Sequence, residues 1–224
     1  MSSTSDGPVT GGDVSSLAGT LRQVESLYAD NLRTMGTVSA AVGWNTPESQ
    51  ALRFRQLLRL IDDRDGPLVV NDYGCGYGAL LPHLLARGQA VTAYHGYDLS
   101  PAMLEAARSG LREFTGALHL HRSAEITTDA DVTFVSGTFN VRFEATEDLW
   151  NGFIARTLDA MHERSRDGFA FNLLSTYVDW RSPSLHYADP LLWFDHCKRR
   201  YSRHVTLLHD YPLWEWTMLV RRSA

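Results

Sequence analysis

The residues whose types and spacing suit chemistry lie in one short run, Asp72-Tyr73-Gly74-Cys75-Gly76-Tyr77-Gly78, and in Asp98 beyond it. Three glycines at alternate positions allow a sharp turn and leave backbone N–H groups uncovered by side chains. Such a turn takes the flat edge of a nucleoside cofactor. Asp98 closes the next strand-like run, where a doubly wound sheet sets a carboxylate against ribose hydroxyls. A glycine-rich turn by itself also serves as a plain strand-to-helix connection. The two carboxylates make the ligand-binding reading the sharper one.

The flanking elements predict how these groups are held. Leu68-Val69-Val70 reads as a buried parallel strand, and Ala79–Gly88 as the helix that the turn opens. Strands follow within Val91–Asp98 and at Ala117–Arg122, Asp131–Ser136 and Phe169–Leu174, the last a near-continuous apolar run expected of a strand covered on both faces. Ser100-Pro101, Thr146 and Asp189-Pro190 read as helix starts, and Thr46-Pro47 as another. Ser123–Asp129 has room for a single turn between strands three and four. Arg203–Leu208 and Trp214–Val220, joined by a five-residue link, must pair antiparallel. Residues 1–19 are Ser, Thr, Gly and Asp with little to bury, and read as a disordered tail. Two amphipathic helices between residues 20 and 64 precede the first strand and read as a lid over the carboxyl edge of the sheet. Residues 65–224 form the core of the same single domain.

Composition narrows the function. With 224 residues, 44% hydrophobic and 21% charged, the chain fits one large α/β domain, and a formal charge of −5 argues against a phosphate-tracking nucleic-acid surface. Cys75 and Cys197 are far apart and lack metal-ligand spacing, so no metal is expected. No stretch reads as a signal peptide or reaches transmembrane length. These features predict a cytoplasmic enzyme, monomeric or homodimeric, with a small-molecule substrate and neither nucleic acid nor membrane as partner.

The turn, with Tyr97-Asp98-Leu99-Ser100 as a second motif, resembles motif I of the class I S-adenosylmethionine-dependent methyltransferases. The resemblance extends over roughly residues 40 to 221. It includes Gly43-Trp44-Asn45, Arg53-Phe54, Ser136–Asn140, Gly168–Asn172, Tyr187–Pro190 and Leu207–Tyr211, which are similar to a subgroup of small stand-alone bacterial methyltransferases. It implies a Rossmann-like, doubly wound, seven-stranded, mostly parallel sheet with an antiparallel last strand, and S-adenosylmethionine as cofactor. An acid in the turn suits a sulfonium cofactor that has no pyrophosphate. The implied cofactor residues are Asp72, Gly74, Cys75, Gly76, Gly78, Asp98, Leu99, Ser123, Ala124, Glu125, Ser136 and Gly137, with Tyr28, Trp44 and Arg53 from the lid. Arg53 has two readings, a helix-face charge or a guanidinium gripping the cofactor carboxylate. Tyr28 and Trp44 are core aromatics or shields over the sulfonium.

Acceptor-side groups belong on the loops after strands four and five. His186 and His209 are the general-base candidates, since imidazole titrates near neutrality, with Tyr187 and Asn140 beside them as catalytic candidates. Each histidine also has a purely structural reading. Arg142, Tyr177, Trp180 and Arg181 are the substrate-binding candidates, the arginines doubling as solvated loop charges. The Asn-Pro-Pro-Tyr tetrad of nucleic-acid and glutamine amide methylators is absent from the chain. The leading expectation is methyl transfer to oxygen or nitrogen of a small polar metabolite, of specialised-metabolite or sugar type. The alternatives are a catalytically silent S-adenosylmethionine-binding regulator or partner subunit, and a nicotinamide-dependent oxidoreductase. The acid in the turn and the closing hairpin weigh against the last.

Overall fold

The computed structural model describes the backbone of residues 11–43 and 46–222, and the side chains within those ranges from residue 17 onward. The order is α1 (Gly11–Met35), α2 (Pro47–Leu58), β1 (Leu68–Tyr73), α3 (Leu80–Ala86), β2 (Val91–Asp98), α4 (Pro101–Gly110), β3 (Ala117–Arg122), β4 (Ala130–Val135), α5 (Glu147–Arg164), β5 (Ser165–Ser175), β6 (Tyr187–Ala188), α6 (Pro190–Arg200), β7 (His204–Leu208) and β8 (Glu215–Arg221). Three helices open on a cap followed by proline. Thr46 and Ser49 form a reciprocal capping box before α2, Ser100 accepts from the Met103 N–H at 3.3 Å before α4, and Asp189 accepts from the Leu191 N–H at 2.8 Å before α6.

The main sheet path is β3-β2-β1-β4-β5-β8-β7. β1 to β5 are mutually parallel, and β8 runs antiparallel to both β5 and β7. This is the predicted seven-stranded arrangement with an antiparallel last strand. β6 adds a two-residue parallel pairing at the end of β5, which the sequence reading left as loop. The order reverses between β1 and β4, so the crevice beyond their carboxyl ends is where an open α/β sheet takes its ligand. Two buried clusters flank the sheet. Trp150, Ile154, Leu158 and Met161 of α5 pack with Phe169 and Phe171 on one face, and Phe54, Leu57 and Leu58 of α2 pack with Leu80, Leu81 and Leu84 of α3 on the other.

One expectation about the first 64 residues needs correction. Helix α1 begins at Gly11, so residues 11–19 are helical where a disordered tail was expected, and Leu17 and Leu21 reach the core cluster beneath α5. Residues 1–10 lie outside the described residues. Helix α2, expected as half of a lid, is set into the core through Phe54, Leu57 and Leu58, each no more than 3% exposed. It still reaches the ligand crevice, which Gln50 and Phe54 border together with Leu21, Val24, Glu25 and Tyr28 of α1.

The β3–β4 connection carries no helix, as its length predicted. Three histidines gather at this edge of the sheet. His95 stacks on His119 at 4.7 Å between ring centroids, and His121 lies 5.6 Å from His95. Burial, then the neighbouring His119 and His121, push the His95 imidazole down to about 4.

Candidate functional site

The glycine turn is built by left-handed backbone. Gly74, Gly76 and Gly78 have φ of 73°, 54° and 80°, values that L side chains rarely adopt. The Gly74 and Cys75 N–H groups donate to the Tyr97 carbonyl at 2.8 and 3.0 Å, which ties the turn to the end of β2. A side chain at Gly74 would collide with Thr138, whose hydroxyl donates to the Tyr73 carbonyl at 3.1 Å. The loop after β4 is thus seated directly on the turn after β1.

Both carboxylates reach the resulting cleft. Asp98 accepts from the Gly76 N–H at 2.9 Å and the Ser100 N–H at 2.8 Å. Burial raises its pKa, and those backbone N–H groups partly offset the rise. Asp72 is 3% exposed and accepts the Tyr94 hydroxyl proton. Burial pushes Asp72 up to about 7 against the lowering effect of Tyr94, with the charge of Asp98 adding to the rise. Two desolvated carboxylates facing one cavity form a natural receptor for a cation. That donor set fits a ligand with an ammonium, a sulfonium and a ribose.

The remaining candidates divide by position. Cys75, Leu99, Ser123, Ser136 and Gly137 border the cleft, and α1 closes it with Leu21, Val24, Glu25 and Tyr28. Burial, then Asp98, raises the Tyr28 phenol to about 12, so it stays protonated. Gly78 is turned away and packs on Leu111 and Ala107. Ala124 and Glu125 do not border the cleft; the Ala124 carbonyl instead accepts the Tyr73 hydroxyl proton at 3.0 Å. Trp44 lies outside the described residues. Arg53 is absent from the cofactor cleft as well. Its Nε and Nη2 hold the Glu215 carboxylate at 2.7 to 2.9 Å, and it borders a second cavity instead.

That second cavity, of about 650 Å³, shares Tyr28, Val42 and Gly137 with the lining of the first cleft. Asn140, Tyr187 and Trp180 line it, together with Glu215 and Trp214. Asn140 is 6% exposed and its side-chain oxygen has no hydrogen-bond partner. The other acceptor-side candidates are placed elsewhere. His186 is 1% exposed and borders neither cavity, whereas its neighbours Leu185 and Tyr187 line the second one. Burial, then Arg142, pushes its imidazole down to about 4, which makes it a weak base at neutral pH. His209 is exposed and packs against Tyr177 at 5.7 Å, outside the cavity. The Arg142 guanidinium donates to the Ala145 carbonyl, and Arg181 lies over the Tyr187 ring at 5.6 Å on the outer side of the wall. Glu215 was missed by the sequence reading. Its signal was a carboxylate at the head of an otherwise apolar strand, which must find a buried partner.

Replacing Asp98 with alanine is expected to weaken S-adenosylhomocysteine binding by about 1–3 kcal/mol, the scale of a hydrogen bond to a charged group. Calorimetry checks this, and unchanged affinity would remove Asp98 from the cofactor site.

A methyltransferase-domain family model matches residues 70–168. The Mycobacterium tuberculosis protein Rv1506c, provisionally named a methyltransferase, is 45% identical over 169 residues, covering 75% of this chain and all of that protein. The Synechocystis magnesium protoporphyrin IX methyltransferase with bound cofactor superposes with a TM-score of 0.61 at 13% identity, covering 97% of this chain and 100% of that one. A Pyrococcus furiosus methyltransferase gives 0.55 at 15% identity, over 91% of this chain and 98% of its own. The pyocyanin biosynthetic protein PhzM gives 0.56 at 17%, over 97% and 74%. At these identities the structural likeness speaks for the fold. The family follows from the extent and identity of the mycobacterial match: the chain belongs to the class I S-adenosylmethionine-dependent methyltransferases.

Proposed function

We propose that this methyltransferase acts on an oxygen or nitrogen of a small polar metabolite held in the cavity beside Gly137. The observation that carries the reading is the neighbouring cavity itself, about 650 Å³, which shares Gly137 and Tyr28 with the lining of the cofactor cleft. That volume falls within the usual range for small-molecule sites. Among similar folds, the magnesium protoporphyrin IX methyltransferase and the pyocyanin biosynthetic protein are named for small molecules. The charge of −5 also favours a small acceptor over a polyphosphate chain.

In this reading Asp72 holds the cofactor's ammonium and Asp98 its ribose. The bound cofactor supplies a methyl group already activated by a sulfonium. The chain's own contribution is alignment: Asn140 offers its unpartnered oxygen to an O–H or N–H of the acceptor, while Tyr187, Trp180 and Trp214 wall the cavity. Neither His186 nor His209 borders the cavity, so proximity supplies most of the acceleration. Incubation with S-adenosylmethionine and a panel of hydroxylated and amino metabolites, read by mass spectrometry, should yield a product heavier by one methylene. Transfer to RNA or protein alone would refute the small-acceptor reading.

Helix α1 is the lid in this proposal, and α2 is fixed scaffold. The described side chains of α1 are mostly half-buried or exposed, and its Glu25 meets Arg122 at 3.2 Å near the surface. α2 is clamped by apolar burial and by the Arg53–Glu215 pair. Hydrogen exchange with S-adenosylhomocysteine is therefore expected to show new protection in residues 17–35 and little change in 50–58. Equal protection of α1 with and without ligand would make it scaffold too.

A further inference from the structure

A chain of buried hydrogen bonds runs from the acceptor cavity to the loop of the cofactor cleft. Arg53 of α2 holds Glu215 of β8 through Nε at 2.9 and 2.8 Å and Nη2 at 2.7 Å. Glu215 Oε2 accepts from Asn172 Nδ2 of β5 at 2.7 Å. Asn172 Oδ1 accepts from the Gly137 N–H at 2.8 Å. Arg53, Glu215 and Asn172 are 8%, 1% and 0% exposed, so water does not compete for these bonds. Asn172 borders neither cavity, whereas Gly137 borders both.

The chemistry of an amide side chain makes the direction of this chain definite. Asn172 has one donating and one accepting end. Glu215, a carboxylate clasped by a guanidinium, takes only donors and so fixes which end faces it. The oxygen must then point at Gly137. Because a trans peptide holds its N–H and C=O on opposite sides, a Gly137 N–H directed at Asn172 turns the Ser136 carbonyl away from Asn172. The next residue is anchored independently, through the Thr138 hydroxyl on the Tyr73 carbonyl at 3.1 Å. The Ser136–Thr138 loop is thereby pinned from the β5 side and from the β1 side. Gly137 has φ of 71°, so the loop has no side chain of its own at that point to hold the peptide plane.

From this geometry we propose that Asn172, oriented by Glu215 and Arg53, is a positioning residue for methyl transfer: it sets the Ser136–Gly137 peptide that separates cofactor from acceptor. It acts through Gly137 and touches neither ligand. The proposal rests on the placement of the cofactor in the Asp72–Asp98 cleft, and the test separates the two ideas.

S-adenosylhomocysteine affinity and the Gly137 amide resonance are measured in the full chain for N172A, E215Q, D98A and the surface control D159N, which breaks the Arg200–Asp159 pair on α5 and α6. N172A is expected to weaken binding by about tenfold or more, to move the Gly137 amide proton upfield and to speed its exchange. E215Q keeps an accepting oxygen for Asn172, and is expected to move both readings in the same direction but by less. D159N should lower thermal stability and leave both readings alone. Folded N172A with unchanged affinity overturns the proposal. So does weakened binding with an unmoved Gly137 amide, since general loosening then explains it. If N172A does not fold, E215Q decides, and an unmoved Gly137 signal there overturns the assignment. Wild-type affinity in D98A would instead overturn the placement of the cofactor.

Discussion

Gly74→Ala is expected to abolish measurable S-adenosylhomocysteine binding and to lower the thermal midpoint of the free protein. Two effects combine at this position. The backbone φ of 73° strains any residue with a Cβ, at about 1–3 kcal/mol. The added carbon would also stand 2.0 Å from Thr138 Oγ1, 2.7 Å from Cγ2 and 2.9 Å from Cβ. Rotating the threonine clears its branch atoms but not its Cβ, so the loop after β4 must move off the turn. Overpacking of this kind costs about 1–3 kcal/mol more. The loop carries Gly137, so both ligand sites are disturbed by one methyl group. Calorimetry and thermal melts check the result. A second replacement, Thr138→Gly, should restore part of the stability by removing the obstruction while leaving the φ strain in place. Wild-type binding by Gly74→Ala would mean that the turn does not shape the cofactor site.

Affinity for S-adenosylhomocysteine is expected to rise with pH through neutrality. Asp72 sits at about 7 in the free protein, chiefly because it is buried. Below that pH it is protonated, yet it must be a carboxylate to hold an ammonium. Binding therefore expels a proton, and affinity should fall by about tenfold for each pH unit below the transition. Calorimetry in buffers of different ionisation enthalpy counts that proton directly. Asp72→Asn should bind more weakly and lose the pH dependence; a wild-type profile flat from pH 5 to 8 contradicts the assignment. The sign for the free protein is the opposite. A carboxyl raised by burial contributes stability that is present below its unfolded value of 3.8 and lost as pH rises through about 7. His95 and His186, each lowered to about 4, contribute stability that is lost as pH falls from 6.5 toward 4. A thermal midpoint followed across pH mixes these trends, which is why the binding proton is the cleaner observable.

What the sequence made legible was local. The alternate glycines, the cap-proline pairs at Ser100-Pro101 and Asp189-Pro190, and the short link between the last two strands each reflect forces acting over a few residues. They were enough for the sheet and for the turn at the reversal of strand order. Pairings across the chain were not legible. Arg53 and Glu215 are 162 residues apart, and no periodicity in α2 marks one helix arginine as bound for a strand at the far end. His186 looked like a base because its loop belongs to the acceptor side. The segment before β6 instead buries it, while its neighbours Leu185 and Tyr187 face the cavity. The start of α1 was hidden by a run of Ser, Gly and Asp with no apolar periodicity before Leu17, the first described residue of the helix that packs on the α5 cluster.

The placement of β8 also governs when the protein becomes itself during synthesis. Its residues 215–221 are made after both of the strands they pair with, yet they lie between β5 and β7 rather than at an edge. Until they leave the ribosome, β5 presents an unpaired flank and Arg53 has no carboxylate to clasp. The second cavity gains Pro212, Leu213, Trp214 and Glu215 in the same stroke. A nascent or prematurely ended chain lacking this strand is therefore an open-edged, aggregation-prone species with an incomplete cavity.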